Sequence, residues 1–454
     1  MAYLSYHANG AGLPMLYRLV RILMQTGLRF FFRHVYVTGM DRIPAHGPAI
    51  IIANHLSSLM DAALLGILLK RPLWYFTRGD VFVNRPVRQL LSWLHMLPVH
   101  PHEKGRASLN ANDDSFSEAR RILARNGIIV FFPESTSHTE RRLWAFRKGV
   151  FRLAFQAVAD HDFSLRLPIV PIGITYDHPT AGRQCAQVHV GPPLYMDDYT
   201  ALYRQNPSAA LLRIAKDAQD RMANEVLHIG DGDRCRVAEQ CLVLHRNDHQ
   251  PQAHAWRIAW RIASRAALEG QQSVCRRVNE ASDTAWESIQ EKNAVYFEAL
   301  QSYGLKEETV AGAMHASARP TGAHWRNSLR LFLLWISSPI YLIGIVLNGL
   351  PIWIARRIAD KKVTREDFYS WIFVSCYCLL YSLWMIVLIV VAGLLHWWYI
   401  PILIVAMAST GVFSYRWIGW MRQTRQDSIV QNLPPETLTT IVRLREAAGR
   451  LSFF

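Results

Sequence analysis

The sequence predicts an α/β domain over residues 35–198, followed by a helical region and by C-terminal transmembrane helices. Short apolar runs alternate with helix-forming segments, at the spacing typical of α/β proteins, up to about residue 195. Residues 199–325 are more polar and helical, without a strong strand pattern. Residues 368–415 contain no Lys, Arg, Asp or Glu, and this length suits two membrane spans.

Composition indicates a protein that works at a membrane. The chain has 454 residues, 51% of them hydrophobic, with 15 Trp and a formal net charge of +15. Such a length allows two or three domains, and such a charge favours an anionic partner, either lipid headgroups or nucleic acid. No nucleic-acid-reading motif is present and the basic residues flank apolar runs, so the sequence favours membrane lipids. The six cysteines have no zinc-type spacing, which predicts free thiols in a reducing compartment and no metal site.

Residues 1–34 contain a basic amphipathic segment. Met15–His34 carries Arg18, Arg21, Arg29 and Arg33 and no acidic residue. This pattern predicts a helix that lies on an anionic membrane surface. Packing against its own domain is an equal alternative, and the two placements are compatible.

A polar cluster follows the first buried strand. Ala49–Ala53 is a short Ile-rich run that predicts a strand, and Ala62–Leu69 predicts a helix. At the carboxyl end of a strand in an open α/β sheet, polar side chains are positioned to bind ligands. Those between the two elements here are Asn54, His55, Ser57, Ser58 and Asp61.

This cluster has a catalytic and a structural interpretation. A neutral imidazole at His55 can take a proton from a hydroxyl, and a carboxylate at Asp61 can fix its tautomer. Alternatively, Ser58-x-x-Asp61 has the shape of a capping box and only begins the helix.

A second polar segment follows a later strand. Ile128–Phe132 predicts a strand that runs into Pro133-Glu134-Ser135-Thr136-Ser137-His138, and Lys148 opens a predicted helix over Gly149–Ala159. The remaining predicted elements are strands at Val35–Thr38, Trp74–Arg78, Pro168–Tyr176 and Val188–Leu194, a helix that follows a break at Asn84-Arg85-Pro86 and runs through Met96, and a helix over Ser117–Arg125.

With Asn54-His55, Asp61, Phe132-Pro133-Glu134 and Lys148-Gly149 in this order, the chain resembles the phospholipid/glycerol acyltransferase family. This family includes glycerol-3-phosphate and lysophosphatidate acyltransferases. Five residues separate His55 from Asp61. This spacing resembles that of one branch of the family, whereas the common form of the motif has four residues between the His and the Asp. The resemblance implies an acyltransferase domain with a mixed sheet flanked by helices.

Several positions depart from the family pattern. Just after the strand expected near Leu97-Pro98-Val99, this chain has His100-Pro101 where many relatives have an Arg. Ser137 stands where many relatives have an Arg that is thought to hold the acceptor's phosphate. Another cation is therefore expected to bind the phosphate in this chain. Ser135 replaces a Gly, and a Ser reaches a positive φ only at a cost.

The resemblance implies direct acyl transfer from a thioester donor, acyl-CoA or acyl carrier protein as co-substrate, to a hydroxyl of a glycerol-3-phosphate or lysophosphatidate-type acceptor in phospholipid biosynthesis. His55 is the expected base and Asp61 its orienting partner, with no metal or other cofactor. The expected substrate-binding residues are Asn54, Ser58, Arg78, Glu134, Ser135, Ser137, Arg141 and Lys148.

Two alternatives remain open. The first keeps the chemistry but changes the acceptor, as in a lysophospholipid-remodelling enzyme or another lipid O-acyltransferase. The second is a non-catalytic lipid-binding membrane protein, against which the intact set of His55, Asp61 and Glu134 argues.

The expected membrane region is 326–425, followed by a cytoplasmic tail at 426–454. Leu331–Ala355 lacks charge but contains Pro339, Asn348 and Pro351. Basic clusters flank the apolar runs at Arg326/Arg330, at Arg356–Arg365 and at Arg416–Arg425. If all three face the cytoplasm, 368–415 forms a transmembrane hairpin and 331–355 is re-entrant or interfacial. The sequence thus predicts a multi-pass protein of a cytoplasmic or inner membrane, with its catalytic domain facing the cytoplasm.

Overall fold

The computed structural model describes residues 15–99, 106–177, 184–249, 260–262, 265–315 and 323–453. The chain divides into two compact units. The first comprises residues 1–228, 258–265 and 364–374, and the second comprises residues 229–257, 266–363 and 375–454.

The first unit contains a nine-stranded mixed sheet. Its strand order is β4-β3-β5-β2-β6-β7-β1-β9, with β8 paired to β6. The five strands from β4 to β6 run in one direction, whereas β7, β1 and β9 run in the other. The strands are β1 (Phe32–Thr38), β2 (Ala49–Ala53), β3 (Leu73–Arg78), β4 (Met96–Val99), β5 (Ile128–Phe131), β6 (Pro168–Tyr176), β7 (Gln184–Val190), β8 (Leu194–Tyr195) and β9 (Trp260–Ile262).

Helices of the first unit flank this sheet. Every residue of β2 and β6 is buried, as expected for central strands covered on both faces. One core cluster joins Ile50 and Ile52 of β2 to apolar side chains of the helices that cover one face, including Leu123, Phe151 and Ile214. The helices are α1 (Met15–Phe31), α2 (Leu59–Leu68), α3 (Arg85–Trp93), α4 (Arg106–Ala124), α5 (Gly149–Ala159), α6 (Thr200–Gln205) and α7 (Pro207–Ala223).

The mixed sheet flanked by helices confirms the predicted fold class, and three elements have the predicted bounds. The structure has β2, β6 and α5 over Ala49–Ala53, Pro168–Tyr176 and Gly149–Ala159. Differences occur at the sheet edges, where strands are short. β4 has four residues and includes the strand expected near Leu97-Pro98-Val99, but it begins at Met96, which was predicted to end a helix. β9 has three residues, in a region predicted to lack strands.

The first unit extends beyond the expected boundary at residue 198. Helix α7 places Ala210, Ile214, Ala218 and Met222 in the same core as the sheet. Its apolar stripe at helical spacing therefore belongs to the α/β unit, although the rest of the helix is polar.

The described part of the second unit is mainly helical. Its helices are α8 (Cys235–His249), α9 (Arg265–Glu280, from Ala266), α10 (Asp283–Ser302), α11 (Glu307–His315), α12 (Ala323–Lys362), α13 (Glu366–Leu395, from Ser375), α14 (Tyr399–Asn432) and α15 (Pro435–Phe453). Helices α8, α10, α11 and α15 share an apolar core around Tyr296. Beside it, the buried Arg445 guanidinium binds Asp248 at 2.6 Å and Glu307 at 2.7 Å.

Three helices are long and apolar enough to cross a membrane. The candidate spans are Ser338–Lys362, Glu366–Leu395 and Tyr399–Asn432. Residues 331–355, expected to be re-entrant or interfacial, lie within the continuous helix α12, which contains Pro339 and Pro351. The chain thus makes no reversal there of the kind that a re-entrant loop requires.

Candidate active site

Four strand ends meet at one edge of the sheet in the first unit. β2, β3, β5 and β6 run in the same direction, so their carboxyl ends share this edge. His55 follows β2, Arg78 ends β3, the segment 132–138 follows β5, and Tyr176 ends β6. The two polar segments singled out by the sequence are therefore brought together.

At this edge His55 and Asp61 form a hydrogen-bonded pair. His55 Nδ1 lies 2.8 Å from Asp61 Oδ2, which also accepts a hydrogen bond from the Ser57 backbone N–H at 2.9 Å. Tyr176 donates its hydroxyl to Asp61 Oδ1 at 2.6 Å. The Asp61 side chain is fully buried. Three donors therefore hold this carboxylate in one orientation.

This geometry leaves one nitrogen of His55 available. An ionised Asp61 keeps the proton on Nδ1, so Nε2 presents a lone pair. Nε2 has no hydrogen-bond partner among the described residues, and the side chain remains 18% exposed. Phe132 stacks on the imidazole with ring centroids 4.1 Å apart and limits the ring's rotation. The pair can act as a general base.

The capping alternative describes this turn less well. Ser58 precedes α2 but its side chain makes no cap hydrogen bond. Asp61 binds the amide of Ser57 and not that of Ser58, so the reciprocal pair of a capping box is not formed. Ser58 has φ +44°, a sparsely populated backbone conformation that the surrounding contacts maintain.

Asn54 fixes the position of the strand end. Its Nδ2 donates to the Ile174 carbonyl at 2.9 Å, and its Oδ1 accepts from the Ile174 amide at 2.7 Å. Both polar groups of this predicted substrate-binding side chain are therefore engaged with β6.

Glu134 is a buried carboxyl beside the pair. Burial, and to a smaller extent the charge of Asp61, raise its pKa to about 8, against the opposing effect of hydrogen bonds from the backbones of Trp144 and His55. Its Oε1 has no hydrogen-bond partner among the described residues, and the same holds for Ser57 Oγ and Trp144 Nε1. Buried polar atoms are normally paired, so these three atoms are exceptions within the described part of the site.

The segment after β5 is held by a distant partner. Ser137, predicted to bind substrate, donates its hydroxyl to the buried carboxylate of Asp367. Arg365 binds Asp367 with Nε at 3.1 Å and Nη2 at 2.8 Å. The neighbouring His138 amide donates to the His55 carbonyl at 3.0 Å. Asp367 is thus connected to the backbone beside His55 through Ser137.

The three cations predicted to bind phosphate have different environments. Arg141 is buried and donates to the carbonyls of Tyr176 at 2.7 Å and Asp177 at 3.1 Å, so it ties the segment to β6. Arg78 is exposed and pairs with Asp80. Lys148 is exposed at the N-terminus of α5. Ser135 is also exposed and has φ +69°, the left-handed conformation that favours glycine.

Two residues of the site did not emerge from the sequence. Tyr176 is the last residue of a predicted strand, but the sequence did not predict its hydrogen bond to Asp61. Asp367 directly precedes the charge-free run and carried no signal of a contact with residue 137. Among the residues that the structure describes, no group of His, Cys, Asp or Glu is arranged to hold a metal ion.

Residues 34–175 match the family model described as Acyltransferase. The chain is 24% identical over 258 residues to glycerol-3-phosphate O-acyltransferase 2 of Saccharomyces cerevisiae, covering 56% of this chain and 33% of that protein. It is 29% identical over 162 residues to a 1-acyl-sn-glycerol-3-phosphate acyltransferase of Cocos nucifera, covering 33% of this chain and 47% of that protein. The crystal structure of the 1-acyl-sn-glycerophosphate acyltransferase PlsC of Thermotoga maritima matches with 16% identity and a TM-score of 0.34, covering 45% of this chain and 78% of that one.

Proposed function

We propose that the protein transfers a fatty acyl group from a thioester to a hydroxyl of a glycerol-3-phosphate or lysophosphatidate-type acceptor. The match of residues 34–175 to the Acyltransferase family model supports this proposal. The observation that carries this proposal is the His55–Asp61 pair at the common strand edge, with Nε2 left available. Both curated relatives named above are acyltransferases of phosphorylated glycerol acceptors by their names.

The chemistry needs one base that later acts as an acid. His55 Nε2 takes the proton of the acceptor hydroxyl as its oxygen attacks the thioester carbonyl. The carbon–sulfur bond then breaks, and the departing sulfur receives the proton from the imidazolium. Asp61 holds the imidazole and stabilises its positive charge during this cycle. The new bond is an oxygen ester, and the free thiol leaves as the second product.

The acceptor's polar groups have two candidate partners. The Glu134 carboxyl, with its pKa near 8, is protonated at neutral pH and can hydrogen-bond an acceptor hydroxyl. Lys148 lies at the N-terminus of α5, where its charge and the first amides of the helix together favour a phosphate. Of the three predicted cations, Lys148 has neither the carbonyl contacts of Arg141 nor the carboxylate contact of Arg78.

We propose that two of the three long apolar helices cross the bilayer, as the 368–415 hairpin, and that the catalytic unit faces the cytoplasm. Asn327 Nδ2 donates to Ser428 Oγ at 2.7 Å, and Arg330 Nη1 binds Asp427 Oδ2 at 2.7 Å. These contacts join the start of α12 to the end of α14, which supports one side of the membrane for both ends. An even number of crossings then separates them, and the basic residues at both ends favour the cytoplasm.

Activity is tested with the purified full-length chain, an acyl-CoA or acyl-ACP donor, and a panel of acceptors. The panel contains glycerol-3-phosphate, lysophosphatidate and lysophospholipids with larger headgroups. We expect esterification of one of the first two, and His55→Ala is expected to abolish it while the protein stays folded. Turnover confined to larger lysophospholipids would assign a remodelling role. Near wild-type turnover by His55→Ala would refute the mechanism.

Topology is tested by labelling an engineered cysteine at His396, between α13 and α14. Labelling of intact membranes is expected only from the face opposite the catalytic unit. Labelling from the cytoplasmic face would overturn the proposed hairpin.

A further inference from the structure

Exposed large apolar side chains of the first unit are concentrated on two segments. Eight such side chains are exposed among its described residues, and Leu212 on α7 is the one that lies elsewhere. The other seven lie on α1 or in the stretch 81–93, which ends with α3: Met15, Leu19, Ile22, Val81, Val83, Leu90 and Trp93. Scattered apolar residues are normal on a protein surface, whereas such a concentration marks an interaction site.

The two segments are neighbours and expose apolar residues at helical spacing. On α1, Met15, Leu19 and Ile22 share one face. Helix α3 has no buried residue, although it contains Leu90 and Trp93. Tyr17 of α1 stacks on His95, two residues after α3, with ring centroids 4.7 Å apart. The exposed faces therefore belong to adjacent parts of the surface.

The charged residues on α1 and α3 are all positive. Arg18 lies on α1, Arg85 and Arg88 lie on α3, and neither helix contains an acidic residue. Asp80, in the connection from β3, is paired with Arg78. Exposed apolar side chains bordered by arginines fit the interface of a bilayer with anionic headgroups.

This surface begins at the candidate active site. The turn 79–81 follows directly on Arg78, which ends β3 at the edge that also carries His55. Val81 and Val83 therefore lie in the connection that leaves the catalytic edge. An apolar contact with the bilayer at this place would bring acyl chains of membrane substrates close to the base.

We propose that residues 81–93, together with the outer face of α1, form a membrane-contact surface of the catalytic unit, with an anionic bilayer as its occupant. Three helices of the same chain are long and apolar enough to cross a membrane, so the chain has independent means to reach a bilayer. The segment 81–93 adds a second contact to the one that the sequence predicted for α1. Its benefit for substrate access rests on the proposed function, whereas the contact itself does not require turnover.

Photocrosslinking in the full-length chain tests the contact directly. Benzoylphenylalanine is placed at Val83 or Leu90, and at Leu212 as the matched control, since Leu90 is 42% and Leu212 is 55% exposed. The protein is reconstituted into vesicles of phosphatidylcholine with phosphatidylglycerol. Lipid adducts are expected to form at residues 83 and 90 at least about tenfold more often than at residue 212.

Two outcomes would overturn the proposal. Equal lipid yields at all three positions would show no preferred contact, and crosslinks between two copies of the chain would assign the surface to self-association. The same adducts are expected in a His55→Ala background. Failure of the proposed reaction would therefore leave this result unchanged, and the two failures can be distinguished.

The arginines provide a second measurement. Arg85→Gln should lower the adduct yield at Leu90 about fivefold on anionic vesicles and have little effect on neutral ones. Arg125→Gln is the control, because this exposed arginine precedes the amino end of β5, whereas the candidate active site lies at the carboxyl ends of the strands. Equal effects of the two substitutions, or an effect of Arg85→Gln that is independent of lipid charge, would contradict the electrostatic part of the proposal.

Discussion

The two loops that form the candidate site are fixed over different distances in sequence. After β2, His55 is held by Asp61, six residues later, and Asp61 in turn binds the Ser57 amide. After β5, Ser137 is held by Asp367, 230 residues later. The first loop therefore contains both members of the proposed catalytic pair, whereas the second is held by a segment outside the region that matches the acyltransferase family model. The proposed base is thus fixed within its own loop, whereas the position of the second loop depends on Asp367.

The largest effect on stability is expected at Glu134, the buried carboxyl of the second loop, and it concerns the pH dependence of the free energy of unfolding. The unfolded chain releases this proton near the ordinary pKa of 4.5, whereas the folded protein retains it up to about pH 8. The folded state thus binds more protons in this window, and the group lowers the free energy of unfolding by up to about 1.4 kcal/mol per unit rise in pH. Glu134→Gln should remove this contribution to the pH dependence of the free energy of unfolding. Thermal unfolding between about pH 5 and pH 8, roughly the range between the two pKa values, measures it.

Glu140→Gln is the matched control for this measurement, because Glu140 is exposed and lies near the same loop. It should retain the wild-type slope. A Glu134→Gln variant with an unchanged pH dependence would mean that Glu134 is ionised like an ordinary surface residue.

A smaller effect is expected from Tyr176, which joins β6 to the first loop. Tyr176→Phe removes one hydrogen bond to a buried carboxylate, a contact worth roughly 1.5–3 kcal/mol. We expect kcat to fall about tenfold to a hundredfold, with little change in KM, because Asp61 then orients His55 less strictly. Tyr199→Phe removes the corresponding bond to Asp217, outside the site, and should lower stability without lowering kcat. Equal changes in kcat for both variants would contradict a role in positioning.

The contact between the second loop and Asp367 should contribute about as much as one hydrogen bond. In a double-mutant cycle, Ser137→Ala and Asp367→Asn should show a coupling free energy of about 1 kcal/mol in thermal unfolding. They should also lower kcat non-additively, because both act on the backbone beside His138. Additive effects on both quantities would show that this loop is held by local contacts after all.

The smallest effect is expected at Ser135. Its left-handed backbone conformation favours glycine, but glycine also increases the entropy of the unfolded chain. Ser135→Gly should therefore stabilise the protein by less than about 1 kcal/mol and leave kcat within a few-fold of wild type. A lower unfolding temperature would show that the Ser side chain makes a contribution that its exposed position does not suggest.

The contrast between contacts that are local in sequence and contacts between distant segments also explains which features could be predicted from the sequence. Ala49–Ala53 and Pro168–Tyr176 were predictable because fully buried strands are continuous apolar runs. His55 and Asp61 were predictable as a pair because the partners are close in sequence and follow such a strand. The edge strand β9 was missed, and β4 was expected only from the family resemblance, since runs of three or four residues carry no periodicity. The engagement of Asn54 and Arg141 with backbone groups, and of Ser137 with Asp367, depends on pairings between distant segments, which local patterns do not encode.

The central claim is that Asp61 serves the chemistry of His55, and Asp61→Asn tests it most directly. Parallel measurements of kcat and of thermal unfolding on the purified full-length protein are required. An amide in place of the carboxylate favours the wrong imidazole tautomer, so kcat should fall by about a thousandfold or more while the protein remains folded. If kcat is retained and stability falls by about 1 kcal/mol, as for the loss of a helix cap, the pair is structural and the proposed mechanism is wrong.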